Sequence, residues 1–201
     1  MIVGYTTSEW LKVKSLYRSD DLAELRYAVA ILQVWRIRMG NSMHVAAEMS
    51  ELILSAIIAD KESTALSAAS NDSDWLSTFN QRLLYSAAVI RFVNYLNELC
   101  QQKQPARTMS IKQAVSMMNV PSWVVEVRHQ ATHQHLPSLN ILRTATNWCR
   151  DWLWSNHWQK PIDEAVLYND NEEDMHQLIT IYDQIELLIN DFIRDRMNSL
   201  N

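Results

Sequence analysis

Only two glycines and four prolines occur in 201 residues. All-β folds use both types heavily, because glycine supplies left-handed backbone and proline pre-sets turn geometry. A chain this poor in them is pushed toward helices joined by short connections. Hydrophobic residues make up 48% of the chain and charged residues 20%, which at this length suffices for one domain with a sizeable core. One all-α bundle is therefore expected.

The apolar pattern places the helices. Ser8 or Thr7 can cap a first helix running to about Tyr17. Asp20 or Asp21 opens a second, whose Leu22, Leu25, Ala28, Val29, Leu32 and Trp35 recur at three- and four-residue spacing until Gly40-Asn41 ends it. A third is expected over 42–60, with Val45, Met49, Leu52, Ile53, Ala56 and Ile57 as its stripe. The Ser-, Asn- and Asp-rich stretch 61–74 has loop composition. A long helix over 74–102 is apolar on most sides around Leu83, Leu84, Ala87, Ala88, Phe92 and Val93, as a central helix should be. A short helix over 111–118 precedes one opened by Asn119-Val-Pro121-Ser122, which stops before Pro137. Ser138 can cap the next, to about Trp158. Its Trp148, Trp152, Trp154 and Trp158 could form a base-stacking platform, but their spacing and apolar neighbours favour packing. A last helix, 172–197, alternates apolar turns with acidic residues.

Charge narrows the function. The formal net charge is −5, whereas phosphate binding wants a basic surface. An RNA-binding role would need a local basic patch, a partner, or further protein, and a small footprint. Cys100 and Cys149 match no zinc or redox spacing, so reduced core thiols and a reducing compartment, cytosol or nucleus, are expected. No run of about 18 apolar residues is present to span a membrane. Residues 1–10 lack the charged and apolar regions of a signal peptide. No membrane partner and no cofactor is expected.

The segment Arg128-His129-Gln130-Ala131-Thr132-His133 carries the candidate chemistry. On a helix, with Arg128 at zero, Thr132 falls at about 40°, His129 at about 100° and His133 at about 140°, so all four share one sector. Val124, Val127 and Ala131 fall on the opposite flank, where a core stripe belongs. Val125 lies inside the polar sector, and Leu136 would join it if the helix reached that far. Apolar residues among these polar ones predict a covered face, and a second copy of the chain is the natural cover. Two imidazoles one turn apart can supply a general base and a general acid. A guanidinium beside them can hold a phosphate and stabilise developing charge, and Thr132 could orient a histidine or bond a phosphate oxygen. Spacing alone leaves other readings open. His at i and i+4 is also a metal-ligand spacing, although Arg128 would repel a cation, and a polar helix face with satisfied histidines needs no function.

The stretch Val127-Arg-His-Gln-Ala-Thr-His133-Gln-His-Leu-Pro137 closely resembles the nuclease signature of the Las-one-like family, HEPN endoribonucleases of ribosome biogenesis, which reads Arg-His-x-x-Thr-His followed shortly by Pro. Pro121-Ser-Trp-Val-Val resembles that family's Pro-x-Trp-(Ile/Val)-Val segment, and Asp151-Trp-Leu-Trp…Trp158 is similar to its aromatic end. Upstream, Arg26-Tyr-Ala, Val34-Trp-Arg-Ile-Arg and Leu84-Tyr…Val89-Ile-Arg-Phe-Val-Asn match further blocks in order, so the likeness covers about residues 3–160.

The resemblance implies a HEPN-type helical bundle acting as a symmetric homodimer through the motif helix, in the nucleus and nucleolus. Its implied activity is metal-independent cleavage of precursor rRNA within the second internal transcribed spacer, leaving 2′,3′-cyclic phosphate and 5′-hydroxyl ends. Arg128, His129 and His133 are the implied catalytic set and Thr132 the supporting residue, with neither histidine assigned as base or acid. A polynucleotide 5′-kinase is the implied partner. The expected domain is 1–201, with 161–201 a trailing helical segment. Family members are longer, and the region that docks the kinase is expected to lie outside this chain. The rival reading is a non-catalytic HEPN-type scaffold that dimerises and positions RNA or the kinase.

Overall fold

The computed structural model describes residues 4–70, 75–103 and 110–162. Among them all regular structure is helical, as the shortage of glycine and proline requires. Seven α-helices follow in order: α1 (Thr7–Leu16), α2 (Leu22–Met39), α3 (Val45–Ser70), α4 (Trp75–Lys103), α5 (Ile111–Ser116), α6 (Ser122–His133) and α7 (Leu139–Leu153). The described residues thus form an all-α fold. The helix expected over 172–197 lies outside the described residues.

Caps fix most boundaries. Thr6, one residue before the expected pair, caps α1. Its hydroxyl accepts from the Glu9 N–H while the Glu9 carboxylate accepts from the Thr6 N–H, the reciprocal arrangement that satisfies two orphan donors. Asp21 caps α2 and Ser138 caps α7, both as expected. Gly40 ends α2 at φ +55°, a left-handed conformation that costs glycine little. A single 3-10 turn, Gly40–Ser42, then delays α3 to Val45.

The principal correction concerns 61–74. Helix α3 runs on through this stretch to Ser70. Its alanines and leucine are good helix formers, and tertiary anchors hold it: Lys61 Nζ donates to the Asp20 carbonyl at 2.9 Å and Arg26 pairs with Glu62. Asp60, the expected helix end, is a buried mid-helix acceptor. It takes the Tyr85 hydroxyl at 2.8 Å and two Arg143 N–H groups at 2.6 and 2.7 Å, tying α3 to α4 and α7. Burial pushes this carboxyl up, but those hydrogen bonds and the Arg143 charge outweigh it and hold the pKa below the usual range.

Helix α4 is central, packing against α3, α5, α6 and α7. Tyr85, Val89, Phe92, Val93 and Leu96 supply its buried side, whereas Leu83, Leu84 and Ala87 face outward. The apolar surround expected near its middle is therefore incomplete. At the other end of the bundle Trp10, Trp35 and Trp158, all nearly inaccessible, meet with Tyr5 and Tyr17. Two of the three indole N–H groups find partners in the core: Trp35 donates to Glu9 at 3.2 Å and Trp158 to Ser50 Oγ at 2.8 Å. Trp148 and Trp152 stand edge-on to Phe92, and Trp154 stacks near Tyr17. The tryptophans of α7 and its extension are thus packing residues. That extension, Trp154–Trp158, is one π-helical turn, and its wider winding sets His157 and Trp158 together inside the core.

Cys100 and Cys149 are both buried, Cys100 with its thiol directed at the Ala114 carbonyl, and burial pushes the Cys149 pKa up. Among the described residues no helix is long and apolar enough to cross a membrane.

Candidate active site

Helix α6 carries the hexad, and its placement follows from its apolar side. Val124 and Val127 are buried, as the helical wheel predicts, while Ala131 is only half-buried. Both ends are held from outside the helix. Before it, Asn119 turns the chain at φ +56° and the Trp152 indole donates to the Met118 carbonyl at 3.1 Å. After it, Arg82 of α4 donates to the carbonyls of Leu136 and of Pro137, the latter at 2.9 Å. The helix stops at His133, so Leu136 belongs to the following loop and does not continue the helical face.

This docking turns the polar sector outward. His129, Thr132 and His133 are exposed, and the two imidazole centroids lie 5.2 Å apart with the rings tilted by 50°. Arg128 is half-buried and runs toward α4, where its Nη2 donates to Asn94 Oδ1 at 3.0 Å. Its Nε is buried and has no hydrogen-bond partner among the described residues, a state that costs about 1–3 kcal/mol for a polar group. The Thr132 hydroxyl lies within bonding distance of the carbonyls of Arg128 (3.0 Å) and His129 (3.1 Å). Its proton is therefore engaged within the helix, and only its oxygen lone pairs remain for a ligand. Gln130 donates to Glu126 at 3.1 Å one turn away. His135, beyond the helix, is exposed as well.

A cleft of about 750 Å³ opens beside the cluster. Arg128 and His129 line it together with Val125, Trp123, Glu126 and Lys112. His133 lies outside it. Among the described residues no group of three or more His, Cys, Asp or Glu side chains is placed to hold a metal. What the arrangement offers is two accessible imidazoles for proton transfer and a guanidinium anchored on a neighbouring helix.

Sequence reading placed Arg128, His129, Thr132 and His133 together, and the structure brings all four to one face. It missed the anchor Asn94 and the cleft residues Lys112 and Trp123. Asn94 gave two usable signals, as the last residue of the block Val89-Ile-Arg-Phe-Val-Asn and as an amide set in an otherwise apolar run, Phe92-Val93-Asn94-Tyr95-Leu96. Lys112 gave none, because its nearness to α6 is a tertiary fact.

Comparison with known proteins agrees with this region. A sequence model of the family described as Las1-like matches residues 2–160. The chain is similar to the ribosomal biogenesis protein LAS1L of Mus musculus, with 29% identity over 159 residues. That alignment covers 79% of this chain and 19% of the relative. The pre-rRNA-processing protein las1 of Schizosaccharomyces pombe is 33% identical over 138 residues, covering 69% and 25% of the two chains. Protein LAS1 of Saccharomyces cerevisiae is 30% identical over 153 residues, covering 74% and 28%. The chain thus spans only between a fifth and somewhat over a quarter of the length of these relatives. With the match running through most of the described bundle and across the whole of α6, the chain belongs to the Las1-like family.

Proposed function

We propose that this chain is the RNA-cutting domain of a metal-independent endoribonuclease that acts on precursor rRNA in large-subunit ribosome biogenesis. The carrying observation is that Arg128, His129 and His133 share one face of α6, with the two imidazoles 5.2 Å apart and open to solvent. One imidazole takes the proton of a ribose 2′-hydroxyl, and the freed oxygen attacks the adjacent phosphorus. The bond to the 5′-oxygen of the next nucleotide breaks, and the other histidine, protonated, supplies that oxygen with its proton. The products are a 2′,3′-cyclic phosphate and a 5′-hydroxyl. Arg128 stabilises charge gathering on the non-bridging oxygens, and its bond to Asn94 holds the guanidinium in place.

Relatives named for pre-rRNA processing and ribosomal biogenesis support precursor rRNA as the substrate. The cut falls within the second internal transcribed spacer, and the site of action is the nucleus and nucleolus. A HEPN-type dimer supports the same chemistry: α6 faces its copy across a twofold axis, bringing two clusters together. The half-buried Val125 beside exposed His129 on α6 suits such a seam. A polynucleotide 5′-kinase that binds the longer protein would consume the 5′-hydroxyl end.

The test uses spacer-derived RNA in excess EDTA. Cyclic-phosphate ends, lost in His133→Ala, are the expected result. No cutting even with the kinase present would point to a dimeric scaffold, and cutting abolished by EDTA would point to a metal held by His129 and His133. A chain that sediments as a monomer at micromolar concentration would overturn the dimer.

A further inference from the structure

We propose that the cleft between α5 and α6 is a nucleotide subsite beside the catalytic cluster, in which a base of single-stranded RNA stacks on Trp123 while Lys112 holds a neighbouring phosphate. This rests on the reading of the cluster as RNA-cutting and adds where the substrate lies.

Trp123 stands apart from the tryptophans of the core. It is 40% exposed, against 1% or less for Trp10, Trp35 and Trp158, and among the described residues no aromatic ring packs on it. It lines the same cleft as Arg128 and His129, so its face is continuous with the site where the phosphodiester must sit. Lys112, exposed on the α5 wall, has no carboxylate partner among the described residues. The acid in the lining, Glu126, accepts a hydrogen bond from Gln130. The cleft therefore combines a lysine, an arginine and a histidine with an aromatic face, in a chain whose net charge is −5. That combination suits single-stranded nucleic acid, which binds through base–aromatic stacking and local phosphate contacts. A volume of about 750 Å³ lies within the range of small-ligand clefts, so the footprint is one or two nucleotides.

The chemistry also calls for such a subsite. Attack by a 2′-hydroxyl needs that oxygen in line with the departing 5′-oxygen. A nucleotide held in a regular helical stack does not present this arrangement. Stacking one flanking base on Trp123 would hold the strand open next to Arg128 and His129.

The test separates binding from cutting. The intact chain is titrated into a fluorescent, single-stranded 2′-O-methyl oligonucleotide, which has no free 2′-hydroxyl and cannot be cut. Trp123→Ala should raise Kd about tenfold and Trp123→Phe less than about threefold, since either ring stacks. Lys112→Glu should raise Kd at least about threefold and flatten its salt dependence by roughly one ion, and being a change at an exposed site it keeps the test open should Trp123→Ala fail to fold. With cleavable RNA, Trp123→Ala should raise KM about tenfold and lower kcat as well, since the stacked base also holds the reacting phosphodiester in line, while Trp123→Phe keeps most of both. Unchanged Kd in both Trp123→Ala and Lys112→Glu, or no binding by the wild type at tens of micromolar, overturns the subsite. So does a Trp123→Ala protein that sediments as a monomer where the wild type is a dimer, because Trp123 would then belong to a contact between copies. Trp123-dependent binding by a wild type that cuts no RNA would uphold the subsite and overturn the endonuclease.

Discussion

Two histidine pairs occupy this bundle, and the difference between them shows what burial does to one residue type. His44 and His157 stack nearly parallel, with centroids 4.8 Å apart, at 7% and 4% exposure. His44 Nδ1 accepts the Ala46 N–H at 3.2 Å, while His157 Nε2 is buried without a partner among the described residues. Desolvation lowers the His44 pKa to about 4. His157 is pushed well below its usual value by burial first, then by the neighbouring charges of His44 and Lys160. That pair is held neutral and serves packing, with His157 edge-on to Trp10 and Trp158. His129 and His133 are separated by a similar 5.2 Å but lie exposed on α6. Separation is nearly the same in both pairs. Only the second pair is open to water and to a substrate, as the proposed proton transfer requires.

Substitution should break this contrast most strongly at the exposed pair. His133→Ala or Arg128→Ala is expected to lower the rate of RNA cutting by about 10² to 10⁴, while the melting temperature moves by no more than a few degrees. A large fall in melting temperature with His133→Ala would assign that ring to structure.

Acid tests the buried pair. Both folded values lie below the free imidazole's 6.5, so the unfolded chain takes up protons first and acid favours unfolding. The stability contributed by His44 should be whole above about pH 6.5 and lost as pH falls toward about 4, on the order of 3 kcal/mol. Urea titrations at a series of pH values would read this, and His44→Gln should flatten the profile. A profile flat between pH 7 and 4.5 in the parent protein would refute it.

Freeing Arg128 should have a smaller effect. Asn94→Ala is expected to lower kcat about tenfold with little change in KM, and Asn94→Asp, which keeps an acceptor, should recover most of it. An equal loss in both variants would mean that Asn94 matters for α4 packing instead. Smallest is Thr132→Val. Because the hydroxyl already bonds helix carbonyls, the rate should fall less than about threefold, and a loss beyond about thirtyfold would put Thr132 on the RNA.

Much of the fold was legible because caps and apolar spacing are local. Asp21, Ser138 and the stripes of α2 and α7 each specify their helix within a few residues. The stretch 61–70 was misread for the same reason. Its serines argue for a loop, and the contacts that keep it helical, Arg26 to Glu62 and Lys61 to Asp20, come from more than 30 residues away in the chain. Trp123 and Lys112 were overlooked likewise, since nothing in either segment announces that α5 will lie beside α6.

The sequence by itself determined that Arg128, His129, Thr132 and His133 share a face, because the helical period allows no other outcome once α6 forms. Tertiary structure decided the rest. Burying Val124 and Val127 turned that face outward, α4 brought Asn94 to the guanidinium, and α5 closed a cleft around Trp123. Side-chain direction along one helix follows from backbone geometry, whereas the neighbours of that helix follow from how the whole core packs.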